Sequence, residues 1–387
     1  MVTRTVGVVM NGVSGRMGYR QHLVRSILAL RDEGGVRVGD DLIVPDPILL
    51  GRNADRLRPI AARHGLTRVF DDIDQALSEA DAEVYFDAQV TSARKAALTT
   101  AIAAGKHIYT EKPTAETAAE ADELAAKAAA AGVKNGVVMD KLFLPGLRKL
   151  RRLVDSGFFG QILSVRGEFG YWVFEGDWQE AQRPSWNYRS EDGGGITLDM
   201  YPHWSYVLEF LFGRVRSVYA HTTTHIPQRT DENGKRYQAT ADDASYGIFE
   251  LEGGATAQIN SSWAVRVHRD ELVEFVVDGT EGSAVAGLFS CRTQHRVNTP
   301  MPVWNPDLPT TEDFRRQWDV VPDNAEMENA FKAQWVEFLK HAYGNEPFPY
   351  NLTEAARGVR LAELALQSAR NGNRIEVPGP CTAEGRS

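Results

Sequence analysis

A chain of 387 residues, 43% apolar and 25% charged, is long for one domain and comfortable for two with buried cores. Its formal charge of −9 speaks against a nucleic-acid partner, and no apolar run reaches the ~20 residues that cross a bilayer. The start has no signal-peptide pattern, and two distant cysteines, Cys291 and Cys381, support neither a disulfide scaffold nor a cysteine zinc site, so the expected compartment is a reducing cytoplasm.

From residue 5 to about 140, short β-branched or aromatic runs at 6–10, 48–50, 84–86, 107–109 and 137–139 alternate with Ala- and Leu-rich stretches at 21–31, 55–64, 92–104 and 118–131. That rhythm predicts βαβ units and a doubly wound parallel sheet, a Rossmann domain over residues 1–145. Thr117 with Glu120 forms a capping-box pattern, and Gly132 marks a helix stop. Residues 32–47 exceed an ordinary connection and are expected to be an insertion. Beyond about residue 150, alternating runs at 163–169, 215–224, 245–251, 255–262 and 272–278 predict an open, mostly antiparallel sheet. Residues 193–212, 329–342 and 353–371 are expected helices, and 378–387 a loose tail. The fold class is therefore α/β plus α+β, with a substrate-binding and oligomerisation domain over residues 146–387.

The first strand runs into Asn11-Gly12-Val13-Ser14-Gly15-Arg16-Met17-Gly18 and then a helix. Glycines at these spacings allow the tight turn, the close approach of backbone to a pyrophosphate and the packing of helix on strand. Gly12, Ser14, Gly15, Arg16 and Met17 are thus candidate cofactor contacts, with helix-start amides facing the phosphates. At the end of the second parallel strand stand Arg52 and Asn53, where an NAD-restricted enzyme usually carries a carboxylate. The planar Arg52 fork suits a 2′-phosphate, which favours NADP within a general NAD(P) expectation.

The run Ala104-Gly105-Lys106-His107-Ile108-Tyr109-Thr110-Glu111-Lys112-Pro113 resembles the signature of the glucose–fructose oxidoreductase/inositol dehydrogenase (Gfo/Idh/MocA) family. Gly193-Gly194-Gly195-Ile196-Thr197-Leu198-Asp199-Met200-Tyr201-Pro202-His203 is similar to that family's Gly-Gly segment with an aspartate and a histidine four residues on. The resemblance implies hydride transfer between a nicotinamide dinucleotide and a secondary alcohol or ketone of a sugar, glycoside or cyclitol. It also implies Lys112 and His203 as the proton-handling pair, Asp199 orienting, and Glu111, Lys112 and Asp87 near the cofactor. The chemistry agrees: Asp199 and His203 share a helix face, imidazole titrates near neutrality, and a strand-end lysine can stabilise a developing oxyanion.

Two segments depart from the family pattern. Asp87-Ala88-Gln89-Val90-Thr91 stands where members commonly carry Thr-Pro, and Asp140-Lys141 precedes Pro145 where many carry Asn and Arg, making Lys141 a candidate substrate contact. The aromatic segment 171–189 suits a sugar ring, with Trp186 and Tyr188 the candidate pocket residues. Asp199-x-x-x-His203 lacks further ligands at recognisable spacing, so no metal is expected. Two other readings stand beside the enzyme: a catalytically silent sugar sensor on the same fold, and a dihydrodipicolinate-reductase-like reductase, whose nucleotide loop residues 12–18 also resemble. Apolar side chains at 255–263 and 272–276 predict an exposed sheet face, which related proteins commonly bury against a second copy, so a homodimer or homotetramer is expected.

Overall fold

The computed structural model describes residues 2–379, so Cys381 and most of the expected tail lie outside the described residues. The chain divides into two units, Met1–Phe143 with Glu328–Arg360, and Leu144–Met327 with Leu361–Ser387.

In the first unit the strands are β1 (Thr3–Asn11), β2 (Val36–Val38), β3 (Asp41–Leu50), β4 (Val69–Phe70), β5 (Ala82–Asp87), β6 (His107–Thr110) and β7 (Asn135–Val137). They lie in the order β2-β3-β1-β5-β6-β7, with β4 also beside β3. All pairings are parallel except β2 with β3. The segment read as an insertion is therefore a hairpin that adds an antiparallel edge strand, with Val36 paired to Ile43. Buried Val6, Val8, Met10, Val84 and Phe86 make the near-continuous apolar strands that a sheet covered on both faces requires. Around it run α1 (Gly18–Leu28, wound in the wider π register and continuing as Ala29–Asp32), α2 (Ala54–Arg63), α3 (Ile73–Leu77), α4 (Thr91–Ala103) and α5 (Ala118–Ala131). Thr117 caps α5 by accepting from the Glu120 amide at 3.3 Å, and Gly132 ends it in the left-handed conformation. Register aligns the strand ends: Asn11 stands beside Leu50 and Asp87, Asp87 beside Thr110, and Thr110 beside Val137. The residues that follow each strand therefore gather along one edge.

The second unit holds β8 (Ile162–Gly170), β9 (Val215–Thr223), β10 (Gln228–Thr230), β11 (Arg236–Gln238), β12 (Ala244–Leu251), β13 (Thr256–Ser262), β14 (Val273–Gly279), β15 (Gly282–Ala286), β16 (Cys291–His295), β17 (Asp319–Val320) and β18 (Ile375–Glu376). Nine of them form one sheet in the order β17-β16-β15-β14-β8-β13-β12-β9-β18, while β10 and β11 form a small hairpin. Only β8 with β13 is parallel. The helices α6 (Pro145–Asp155) and α7 (Ile196–Leu211) belong to this unit, and α7 packs on β9, β12 and β13. Strand alternation corrects the expected apolar patch. Ala257, Ile259, Val273, Phe275 and Val277 point into the core, which leaves Gln258, Asn260, Glu274 and Val276 outward. Arg166, Glu168, Tyr219, Tyr246 and Ile248 complete that outer face.

Two further helices end the described chain, α8 (Ala330–Gly344) and α9 (Leu352–Asn371). α8 corrects the expected domain boundary, because residues 328–360 group with the first unit rather than the second. The cause is burial: Phe331, Trp335, Phe338 and Leu339 enter the same core as Val6, Val8 and Met10. Gln334 also completes the edge of the parallel sheet, donating to the Val137 carbonyl and accepting from the Met139 amide, each at 2.9 Å.

Candidate active site

In the first unit the aligned strand ends bring the expected cofactor residues to one edge. Gly12 has φ +86°, and a Cβ there would stand 2.5 Å from the Ala88 backbone, so only glycine lets the turn pass the end of β5. The Gly15 amide donates to the Gly12 carbonyl at 3.1 Å and closes the turn, and Ser14, Gly15, Arg16 and Met17 lie exposed where α1 begins. An exposed helix start with its amides unsatisfied by the helix itself fits a diphosphate. Arg52 is exposed just beyond β3, on the same edge. Asn53 caps α2, its Oδ1 accepting from the Asp55 amide at 2.9 Å, which leaves its amide nitrogen as the donor for a ribose. A nicotinamide dinucleotide therefore fits this edge by its turn, its helix start and its basic strand end.

Asp87 does not reach that surface. It is fully buried, with Oδ1 accepting from the Gln89 amide at 2.9 Å and Arg94 Nε at 3.1 Å, and Oδ2 from the Tyr85 hydroxyl at 2.9 Å. Burial pushes its carboxyl above the usual range against the pull of Arg94 and the Gln89 amide. Arg94 in turn donates to the carbonyls of Gln89 and Pro113, so this pair ties the ends of β5 and β6 together. The expected cofactor contact at Asp87 becomes a positioning role, because all its oxygens are engaged by protein.

Glu111 and Lys112 follow β6, and the Lys112–Pro113 peptide is cis. The Glu111 carboxylate meets His22 Nε2 at 2.9 Å, while the Trp335 indole donates to His22 Nδ1 at 3.0 Å. The indole fixes the tautomer: Nδ1 accepts, so Nε2 carries the proton and donates to Glu111. Burial alone would raise the Glu111 carboxyl, but His22, Lys112 and Arg94 hold it below its usual value. His22 is a residue the sequence reading missed, and only the fold joins it to residues 111 and 335. Lys141 stands in the short turn after β7, partly buried, with Nζ 3.8 Å from Asp140.

In the second unit Asp199 and His203 lie one turn apart on α7, as their spacing requires. The helix start is built by Asp242, whose Oδ2 accepts from the Thr197 amide at 2.9 Å and hydroxyl at 2.6 Å. Gly195 makes room: its φ is +121°, and a Cβ would stand 2.5 Å from Asp242 Oδ1. Burial raises the Asp242 carboxyl, opposed by the two Thr197 bonds. His203 is buried, with Nδ1 2.6 Å from the Tyr206 hydroxyl. Asp199 Oδ2 accepts from Arg183 Nη1 at 3.2 Å.

The two aromatic candidates part company. Trp186 is 47% exposed and available to a ligand, whereas Tyr188 is 1% exposed, covered by the Arg229 guanidinium 3.8 Å over its ring. Tyr188 meets Trp263 edge to face at 5.4 Å and is a support of the site rather than its lining. Arg229 pairs with buried Asp243 at 3.5 Å. Among the described residues no group of three or more His, Cys, Asp or Glu is placed to hold a metal, and no helix is long and apolar enough to cross a membrane.

Residues 7–139 match the oxidoreductase family with NAD-binding Rossmann fold, and residues 147–285 match the GFO/IDH/MocA C-terminal domain. The chain is 61% identical over 381 residues to the D-xylose dehydrogenase of Paenarthrobacter nicotinovorans, covering 97% of this chain and 98% of that protein. It is 24% identical over 60% of its length to the trans-1,2-dihydrobenzene-1,2-diol dehydrogenase of Bos taurus, covering 63% of that protein. A solved levoglucosan dehydrogenase shares the fold, with TM-score 0.82 at 18% identity over 97% of this chain and 99% of the other. With both halves matched in order, the chain belongs to the Gfo/Idh/MocA family and is an NAD(P)-dependent oxidoreductase that acts on the CH–OH group of a sugar-type substrate.

Proposed function

We propose that the chain oxidises D-xylose or a closely related pentose, a reading carried by 61% identity to a D-xylose dehydrogenase over almost its whole length. The dinucleotide supplies the hydride acceptor when bound. The chain's own groups manage the oxygen and its proton. Lys112, fixed at the end of β6, donates from Nζ to the substrate oxygen as negative charge grows on it. His203 takes the hydroxyl proton at Nε2, with Nδ1 held by Tyr206, and Asp199 orients a neighbouring hydroxyl and favours the imidazolium so formed. Trp186 offers its ring to the apolar C–H face of the sugar, and Lys141 a further donor. Arg52, exposed at the edge where the adenosine ribose is expected, supports acceptance of NADP as well as NAD.

A panel of sugars, glycosides and polyols, read with NAD and with NADP at the reduced-nicotinamide absorbance band, tests the substrate. D-Xylose is expected to be the preferred sugar, and preference for a hexose or cyclitol overturns the pentose assignment. Lys112→Met and His203→Ala are each expected to lower turnover ~10²–10⁴-fold while leaving the fold and cofactor binding intact. Near-wild-type turnover in both removes the proton assignment.

A further inference from the structure

Arg183 lies in the aromatic segment before α7, and its guanidinium is fixed on three sides. Its Cζ lies over the Trp263 ring, 4.4 Å from the ring centroid. Nε donates to the Tyr171 hydroxyl at 3.3 Å, and Nη1 to Asn187 Oδ1 at 3.4 Å and Asp199 Oδ2 at 3.2 Å. The third nitrogen, Nη2, has no acceptor among the described residues, and the side chain keeps 24% of its surface. A guanidinium that held Asp199 and nothing else would have no reason to be so rigidly oriented with one edge open. Its stack and its other bonds remove the rotamer entropy that a flexible arginine loses on binding a ligand. The open edge presents two N–H groups beside the carboxylate that stands one helical turn from His203.

We propose that Arg183 is a substrate-binding and specificity-determining residue, donating from Nη2 to one hydroxyl oxygen of the sugar next to the carbon that reacts. This rests on the reading of Asp199 and His203 as the reacting edge of the second unit. A charged donor aimed at one oxygen makes that hydroxyl a requirement: a sugar lacking it leaves the guanidinium edge desolvated and unpaired. Lysine does not reproduce the arrangement, because an ammonium lacks the plane that stacks on Trp263 and the fork that serves Asp199 and substrate together.

The test uses the full-length enzyme with the pentose oxidised best in the panel above and its monodeoxy analogues. Wild type is expected to reject one analogue by about 10–100-fold in kcat/KM relative to the parent sugar. Arg183→Met is expected to raise KM for the parent sugar by the same order, with kcat changed less and the cofactor Kd unchanged, and to lose discrimination against that one analogue. Arg183→Lys is expected to recover part of the KM and little of the discrimination. If Arg183→Met keeps the wild-type discrimination against every analogue, the residue acts only through Asp199 and the proposal is overturned; an unchanged KM overturns it as well. Failure of the underlying reading has a separate signature, full turnover in His203→Ala, whatever the analogue series shows.

Discussion

At the residue scale, local pattern placed Lys112 just after a strand and Asp199 with His203 on one helix face, because a strand end and a helix face are local properties. Asp87 and Tyr188 were misplaced because burial is a tertiary property. Nothing in the sequence around residue 87 reveals that Arg94 and Tyr85 close over its carboxylate, and nothing near 188 reveals Arg229 on its ring. Arg94 and His22 were missed for the same reason, since each takes its partners from the fold. Arg52 carries the prediction that belongs here. Arg52→Asp replaces a partner for a 2′-phosphate by an acceptor for a 2′-hydroxyl, so the ratio of kcat/KM for NADP over NAD is expected to fall by about tenfold or more. Parallel initial-rate measurements with both cofactors check it, and a ratio that does not move frees the position from cofactor choice.

At the scale of elements, the strands and long helices of both halves were legible because apolar period and caps agree, as at Thr117 and Gly132 around α5. β2 with the first part of β3, the short α3 and the strands β15 to β18 near the two ends of the large sheet were not, because such elements are held by pairing with neighbours more than by their own pattern. α7 shows how a loop glycine can set the start of a helix. Asp242 reaches the first turn of α7 only through the space that Gly195 leaves, so the start of the helix that carries Asp199 depends on the absence of one methyl group four residues before it in sequence. Gly195→Ala places a Cβ in the carboxylate and strains a backbone at φ +121°. A loss of about 1–3 kcal/mol in unfolding free energy is expected, together with lower kcat. Urea denaturation read by tryptophan fluorescence measures the first. An unchanged midpoint would show that α7 can be started without Asp242.

At the scale of the whole molecule, the outer face of the large sheet bears on assembly. Cross-strand register lines up Tyr219, Ile248, Gln258, Arg166 and Val276 in one row, and His221, Tyr246, Asn260, Glu168 and Glu274 in the next. Tyr219, Ile248 and Tyr246 make the rows mostly apolar over β9 and β12, while Gln258, Asn260, Arg166, Glu168 and Glu274 make them mostly polar or charged over β13, β8 and β14, so a homodimer or a dimer of dimers formed through this face would be held by both kinds of contact. It is expected to weaken as salt rises, unlike a purely apolar interface. Sedimentation at micromolar concentration in low and high salt checks this, and a monomer in both sinks it. The placement of α8 has another consequence, one of timing during synthesis. The core that contains Val8 and Met10 also contains Trp335 and Phe338, so its first strand emerges from the ribosome long before its last helix. While residues 144–327 are translated, on the order of tens of seconds at typical elongation rates, the nascent parallel sheet presents an apolar face that its own chain cannot yet cover. The nucleotide-binding unit thus begins to form well before the helix that completes its core is made, and chaperone demand should fall on that interval.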